Sequence, residues 1–173
     1  MCSMTQPSWC RRCGRPVVLE AEQFDVFVDT PPGVGQSAPV DSSTFENDDD
    51  GWTLQTSDSL VTQLRIDYRF TLMLGSGVFI SISEPFELRS DGVPVVIPPD
   101  EAVYEVGPAL RLFNQRIVTL RAANSGELSI EFDSGITIRV PTNDHYENWD
   151  ITLPTSDQLI GLPGGRVSFF SAP

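Results

Sequence analysis

Regular alternation of apolar and polar residues marks most of the chain from Leu60 onward. In Leu64–Leu74, apolar side chains occupy every second position, and arginine, aspartate or threonine fill most of the positions between them. A β-strand with one buried face requires this period of two, because successive side chains point to opposite faces. The pattern returns at Val78–Ile82, Leu128–Phe132 and Ile136–Val140. These segments predict antiparallel hairpins.

Short turn sequences separate the alternating segments. Gly75-Ser76-Gly77, Asp133-Ser134-Gly135 and Pro163-Gly164-Gly165 are typical of tight connections between adjacent strands. The sequence therefore predicts an all-β fold, either a two-sheet sandwich or an open barrel of antiparallel hairpins. Further strands are expected at Val93–Ile97, Val118–Ala122, His145–Leu153, Gln158–Leu162 and Val167–Phe170.

One segment breaks the alternation. Leu110, Leu112, Phe113 and Ile117 are spaced as on a helix rather than on a strand. Pro108 is compatible with the first helical turn, where no backbone donor is needed. We therefore expect one short helix near residues 108–114.

The first 58 residues differ in composition from the rest. Residues 1–16 form a polar tail that holds all three cysteines and three arginines. Residues 17–58 begin with a candidate strand, Val17–Val28, and continue as a stretch rich in Pro, Gly, Ser and Asp that we expect to be a flexible acidic loop. A chain of 173 residues fits one domain. We expect its β-rich core to cover residues 59–173.

An excess of negative charge narrows the classes of function. The chain has 24 acidic and 11 basic residues, for a net charge of −13, and every basic residue is arginine. The absence of lysine excludes a Schiff-base lysine and the lysine of a Walker A loop. Nucleic-acid binding without sequence preference needs positive charge against phosphates, so we expect no nucleic-acid partner. We also expect no membrane partner, because no apolar run approaches the ~18 residues of a spanning helix.

The cysteines are candidate zinc ligands. Cys10 and Cys13 form a C-x2-C pair, which lets two thiolates share one ion. A structural zinc site needs four ligands, and Cys2 and the lone His145 are the only other soft donors. The alternative is a tail without metal, because a second C-x2-C pair is missing. Cysteines confined to one end form no disulfide framework, and no apolar leader follows the arginines, so a cytoplasmic location is expected.

His145 is also the residue on which any histidine-dependent catalysis would rest. It lies in Asp144-His145-Tyr146-Glu147, which contains the elements of an acid–base pair. The chain has no G-x-S-x-G sequence, and its cysteines lie at the opposite end. The alternative interpretation is an exposed polar segment at the start of a strand. We expect no enzymatic activity.

Four pieces of the second half resemble an uncharacterised domain family of actinobacterial proteins. Two are the segment Leu110–Val118 and the hairpin Gly126–Val140. The others are Tyr146-Glu147-Asn148-Trp149, where the family has a Tyr-Glu-x-Trp step, and Leu162-Pro163-Gly164-Gly165 near the C-terminus. Leu64–Phe86 is similar to the first hairpin of the family. The resemblance implies a common fold and carries over no activity and no catalytic residue.

The acidic segment points to a binding function. From Glu20 to Asp58 there are ten acidic residues and no basic one. Carboxylates concentrated in one segment steer a positively charged partner and raise its association rate. Buried aromatic side chains are the usual anchors of such an interface. The predicted contacts with a basic protein partner combine three carboxylates with two aromatic rings: Asp48, Asp49, Asp50, Phe45 and Trp52.

The function predicted from the sequence is thus that of a small acidic, non-catalytic binding protein. Its most concrete form is an immunity- or antitoxin-like protein that covers a basic partner. Two alternatives stay open. One is a zinc-binding module or an enzyme that uses Cys10, Cys13 and His145. The other is a structural subunit of a larger assembly, because β domains with open edges pair readily.

Overall fold

A computed structural model describes residues 42–99 and 103–172 of the chain. Over these residues it contains thirteen strands in two antiparallel sheets, and neither sheet closes into a barrel. The predicted all-β class is therefore confirmed. In chain order the strands are β1 (Thr44–Asp48), β2 (Gly51–Gln55), β3 (Val61–Ile66), β4 (Phe70–Leu74), β5 (Phe79–Ile82), β6 (Phe86–Ser90), β7 (Val93–Ile97), β8 (Ile117–Ala123), β9 (Leu128–Phe132), β10 (Thr137–Val140), β11 (Trp149–Thr152), β12 (Gln158–Leu162) and β13 (Arg166–Phe170).

The two sheets combine strands from both halves of the chain. The first sheet has the order β1-β2-β8-β9-β10-β6-β7, and the second has the order β13-β12-β11-β5-β4-β3. Hairpins between consecutive strands supply most of the pairs. The pairing of β2 with β8 is long-range, with Trp52 opposite Ala122.

A hydrophobic core formed by both sheets explains the alternation in the sequence. Phe70, Leu72 and Leu74 of β4 are buried, and so are the alternate residues Leu128, Ile130 and Phe132 of β9. Each such side chain contributes about 1.5–3 kcal/mol when it leaves water. Polar residues on the intervening positions lie on the outer faces.

The predicted short helix is present and starts earlier than expected. An α-helical turn, α1 (Val103–Val106), continues as a 3-10 helix over Gly107–Leu112, with Pro108 in its first turn. Val106, Ala109 and Leu112 are completely buried. The 3-10 helix contacts both β3 and β7, the edge strands on this side of the sheets. It therefore closes the open side between these two edges.

Three aromatic rings close the opposite side. Phe45 of β1 and Trp52 of β2 belong to the first sheet, and Phe169 belongs to the edge strand β13 of the second. Trp52 stacks on Phe169 with ring centroids 5.3 Å apart, and Phe45 meets the same ring edge-on at 6.0 Å. We call these three residues the aromatic closure. It joins the sheets by side-chain contact instead of a helix.

The hairpin β1–β2 shows that the prediction of a flexible acidic loop is wrong for residues 44–55. Residues 44–55 lie in the segment expected to be a flexible acidic loop, yet they form two paired strands joined at Asp49 and Asp50. Their polar sequence hides the pattern, because β1 is an edge strand in which only Phe45 is partly buried. The remainder of that segment up to residue 41, with the candidate strand Val17–Val28 and the cysteine-bearing tail, lies outside the described residues.

Candidate functional site

Several connections meet at one end of the two sheets, which we call the hairpin end. It comprises residues 49–50, 67–69, 83–85, 124–127, 141–148 and 163–165. Asn124 donates from its side-chain amide to the Asp49 carbonyl at 2.9 Å. The Trp149 indole donates to the Gly126 carbonyl at 2.9 Å, and the Gly164 amide donates to the Asn143 carbonyl at 3.0 Å. These bonds make the hairpin end one connected surface.

Asp48 is engaged within the protein. Its carboxylate accepts two hydrogen bonds from the Arg121 guanidinium, at 2.9 and 3.2 Å. It also accepts from the backbone amides of Asp50 and Gly51, each at 2.9 Å. The hydrogen bonds from Arg121 and from these amides lower the pKa of Asp48. Asp48 therefore shapes the hairpin turn and is not a free charge.

Asp49 and Asp50 differ from Asp48. The Asp50 side chain is 90% exposed, and its carboxylate lies 3.8 Å from Arg121, at the outer limit of an ion pair. The Asp49 side chain has no ion pair among the described residues. Of the three predicted contact carboxylates, these two are the ones directed to solvent.

The predicted anchors Phe45 and Trp52 are partly buried and pack against the core. More accessible rings lie on β13: Phe169, which contacts both anchors, and the following Phe170 are 41% and 52% exposed. Sequence reasoning missed both. The available signal was the consecutive pair itself, because neighbouring residues of a strand point to opposite faces and one ring must then leave the core.

Arg121 is a second residue that sequence reasoning missed. It lies on β8, on the outer face between the buried Leu120 and Ala122. Its partner Asp48 is 73 residues away in the chain. The alternation on β8 places Arg121 on the polar face, but only the pairing of β2 with β8 brings it to the hairpin.

An open cleft of about 550 Å³ lies at the same end. Its walls come from the β3–β4 turn, the segment after β5, the loop before β11 and the β12–β13 turn. Tyr68 and Tyr146 are strongly exposed, at 89% and 68%. The residues that carry chemistry are two tyrosines, one arginine, one histidine and two glutamates: Tyr68, Tyr146, Arg69, His145, Glu84 and Glu147.

The arginine of the cleft, Arg69, is bound by a carboxylate of the second sheet. Arg69 forms an ion pair with Asp150 of β11, with Nη1 and Oδ2 separated by 2.8 Å. Burial raises the pKa of Asp150, Arg69 opposes that effect, and the negative charge of Glu147 adds to it. Asp150 therefore neutralises Arg69, while Glu84 and Glu147 have no ion pair among the described residues.

Local hydrogen bonds fix the wall that carries His145. The side-chain oxygen of Asn143 accepts from the backbone amides of His145 and Tyr146, at 2.7 and 3.3 Å. Asn148 is buried and donates to the Pro141 carbonyl at 2.6 Å. At Gly161 a Cβ atom would lie 2.6 Å from the Trp149 indole, so this position requires glycine. These contacts fix the backbone of the wall that carries His145.

Of the four predicted zinc ligands, one lies in the described part of the chain. Cys2, Cys10 and Cys13 lie outside the described residues, and His145 lies on the wall of the cleft. Across residues 42–99 and 103–172, no group of three or more His, Cys, Asp or Glu residues is arranged to hold a metal ion. The part of the chain that the structure describes also contains no helix long and apolar enough to cross a membrane.

Comparison with known proteins adds a family and no activity. The family model of DUF6188, a family of unknown function, matches residues 52–171. Neither a curated protein nor a solved structure matches the chain. The matched residues include the whole cleft, whereas Asp48, Asp49 and Asp50 immediately precede them.

Proposed function

We propose, from the premise that the chain belongs to DUF6188, a family of unknown function, that it is a small acidic binding protein without catalytic activity. In this proposal the hairpin end and the aromatic closure cover a basic protein partner. The most concrete form is an immunity- or antitoxin-like role in the cytoplasm. An actinobacterial source, and a family pattern that includes Tyr146-Glu147-x-Trp149 and Pro163-Gly164-Gly165, belong to the same proposal.

One observation carries the proposal. At the hairpin end, unpaired carboxylates outnumber unpaired arginines among the described residues. Arg166, which follows residues 163–165 as the first residue of β13, is an arginine without an ion pair beside this end. The carboxylates without an ion pair are Asp49, Glu84, Asp144 and Glu147.

Exposed aromatic rings on the edge strand β13 support the same proposal. Phe169 and Phe170 keep much of their surface in water, and Phe169 stacks on Trp52. Interfaces combine aromatic anchors with a polar rim, and the rim charges govern encounter more than affinity. The exposed rings would supply burial, and the carboxylates would attract the partner.

A bait comparison in the native host tests the proposal. The baits are the wild type, the double variant D49N/D50N, and the matched control D91N/D133N, which removes the same charge from turns at the opposite end. We expect the wild type and the control to retain the same basic protein, and D49N/D50N to retain less of it. Retention of one set of proteins by all three baits, or of acidic proteins only, would contradict the proposal.

Association kinetics with the retained protein make the test quantitative. The association rate should fall several-fold for D49N/D50N and also with added salt, because exposed charges are screened beyond ~10 Å at 0.1 M ionic strength. The dissociation rate should change little. An association rate that responds to neither the substitutions nor salt would leave the proposal without support.

A further inference from the structure

The cleft beside His145 contains more negative than positive charge. Glu84 and Glu147 line the cleft together with a single arginine, Arg69, and Asp150 lies behind that arginine on β11. Asp150 binds Arg69 directly at 2.8 Å. Arg69 is thus paired with Asp150, and the carboxylates of Glu84 and Glu147 have no ion pair among the described residues.

The raised pKa of Asp150 is consistent with this imbalance. Burial is its main cause, and the negative charge of Glu147 acts in the same direction. Glu147 is therefore close enough to Asp150 for the two carboxylates to repel each other. A further cation in the cleft would relieve this repulsion.

Two exposed tyrosines line the cleft beside the glutamates and favour one kind of cation. Tyr68 and Tyr146 line the cleft together with Glu84 and Glu147. A guanidinium group is planar, stacks on aromatic faces and donates two parallel hydrogen bonds to a carboxylate. An ammonium group is a strongly hydrated point charge and uses such a site less well. The combination of rings and carboxylates favours arginine over lysine.

The wall of the cleft formed by the loop before β11 is held in place by hydrogen bonds. Asn143 holds the backbone of His145 and Tyr146, while Asn148 and Trp149 anchor the following residues. A wall held in this way loses little conformational entropy when the cleft is occupied. A volume of about 550 Å³ also leaves room for the planar group and part of its aliphatic stem.

We propose that this cleft is the docking site for an arginine side chain of the partner, with Tyr68 and Tyr146 as aromatic contacts and Glu84 and Glu147 as carboxylate contacts. The inference rests on the proposed function, because it assumes a basic protein partner. It adds the place where one basic side chain of that partner binds. The acidic turn at Asp49 and Asp50 would then attract the partner, and the cleft would hold it.

Binding of acetylated, amidated hexa-arginine tests the inference, with hexa-lysine and hexa-citrulline as reference peptides. The wild type should bind hexa-arginine more tightly than hexa-lysine, and hexa-citrulline least. The variant E84Q/E147Q should lose at least about tenfold in affinity for hexa-arginine, since it removes the charge from two charge-assisted hydrogen bonds. The variant D91N/D133N has the same net charge as E84Q/E147Q and should lose much less.

A substitution of one ring separates stacking from charge. Tyr68 is 89% exposed, so Tyr68→Ala leaves the core intact. It should lower the affinity for hexa-arginine about two- to fivefold, as expected for the loss of an exposed cation–π contact. Circular dichroism and melting temperature establish that each variant is folded before binding is measured.

The possible results separate this inference from the proposed function. Equal losses for E84Q/E147Q and D91N/D133N, or wild-type binding of hexa-arginine no stronger than that of hexa-citrulline, would overturn the cleft assignment. Retention of a basic protein that depends on D49N/D50N would then still support the proposed function. A specific loss for E84Q/E147Q without any basic protein on the baits would support the cleft and count against the proposed function.

Discussion

The two open sides of this molecule are closed in different ways. On one side the 3-10 helix Gly107–Leu112 contacts the edge strands β3 and β7, and Ala109 and Leu112 become completely buried. On the other side the aromatic closure joins the edges, and Phe169 stays 41% exposed. The helix completes the core. The aromatic closure leaves apolar surface accessible beside an acidic turn, so stability should depend more on the first side and binding on the second.

The largest expected effect is at the helix. Leu112→Ala should lower the free energy of unfolding by about 2–5 kcal/mol, because it leaves a cavity in a fully buried position. Urea denaturation measures this change. Leu110→Ala on the same helix is the control, because this side chain is half-exposed, and the cost should stay below about 1 kcal/mol. Similar costs for both variants would contradict the role given to the helix.

A substitution in the aromatic closure should lower the free energy of unfolding less than Leu112→Ala does. Phe169→Ala should lower the free energy of unfolding by about 1–2 kcal/mol, because much of the ring is already in water and only its stacking on Trp52 and its partial burial are lost. The same denaturation experiment compares it with Leu112→Ala. If Phe169→Ala were the more destabilising of the two, the proposed difference between the sides would be wrong.

A smaller effect is expected at the hairpin turn. Asp48→Asn should accelerate hydrogen exchange of the Asp50 and Gly51 amides and of β1, because the charged acceptor of Arg121 is lost. D49N/D50N should leave exchange nearly unchanged. The pKa of Asp48 is lowered in the folded protein, so its stabilisation is present above its ordinary pKa and is lost as the pH falls through the lowered value. The difference between Asp48→Asn and the wild type should therefore disappear in acid.

Asp150 lies on β11, away from the helix and from the aromatic closure. Its contribution to stability should depend on pH in the direction opposite to that of Asp48. Burial raises its pKa in the folded state, so the folded protein holds the proton more tightly than the unfolded chain. Stability should then decrease as the pH rises from below the ordinary pKa through the raised one. Asp150→Asn should gain stability relative to the wild type over this interval. Thermal melts of both proteins at a series of pH values test this prediction. A loss of stability of Asp150→Asn relative to the wild type as the pH rises would refute it.

Local hairpins account for most of what the sequence predicted. The β4–β5 and β9–β10 hairpins have turns with the same hydrogen bond. The Leu74 amide donates to the Val78 carbonyl in the first, and the Phe132 amide donates to the Ile136 carbonyl in the second, each at 2.9 Å. Gly77 and Gly135 adopt positive φ values of 81° and 80° in these turns. Alternating strands and a glycine at the required position are both visible in a short window of sequence.

The hairpin β1–β2 shows where that reasoning stops. Its strand β1 lies at the edge of a sheet and is polar on most positions, so no alternation distinguishes it from a loop. Its stability depends on contacts that are distant in sequence, with Arg121 for Asp48 and Phe169 for Trp52. The cleft is equally non-local, because four separate connections supply its walls. Residue types suggested binding at Asp49 and Asp50, but only the fold brings Tyr68 and Glu84 to His145.

The pairing of β2 with β8 also affects how the protein can form while it is being synthesised. Ala122 follows its partner Trp52 by 70 residues. At ~5–20 residues per second, translation needs about 4–14 s to deliver β8 after β2. During that interval β3, β4 and β5 can pair as they emerge. The strand β2, which carries Trp52 and Leu54 into the sandwich, still lacks its neighbour β8 on one edge. On the ribosome, the β2–β8 pairing that extends the first sheet beyond the β1–β2 hairpin can therefore form only after β3, β4 and β5 have emerged.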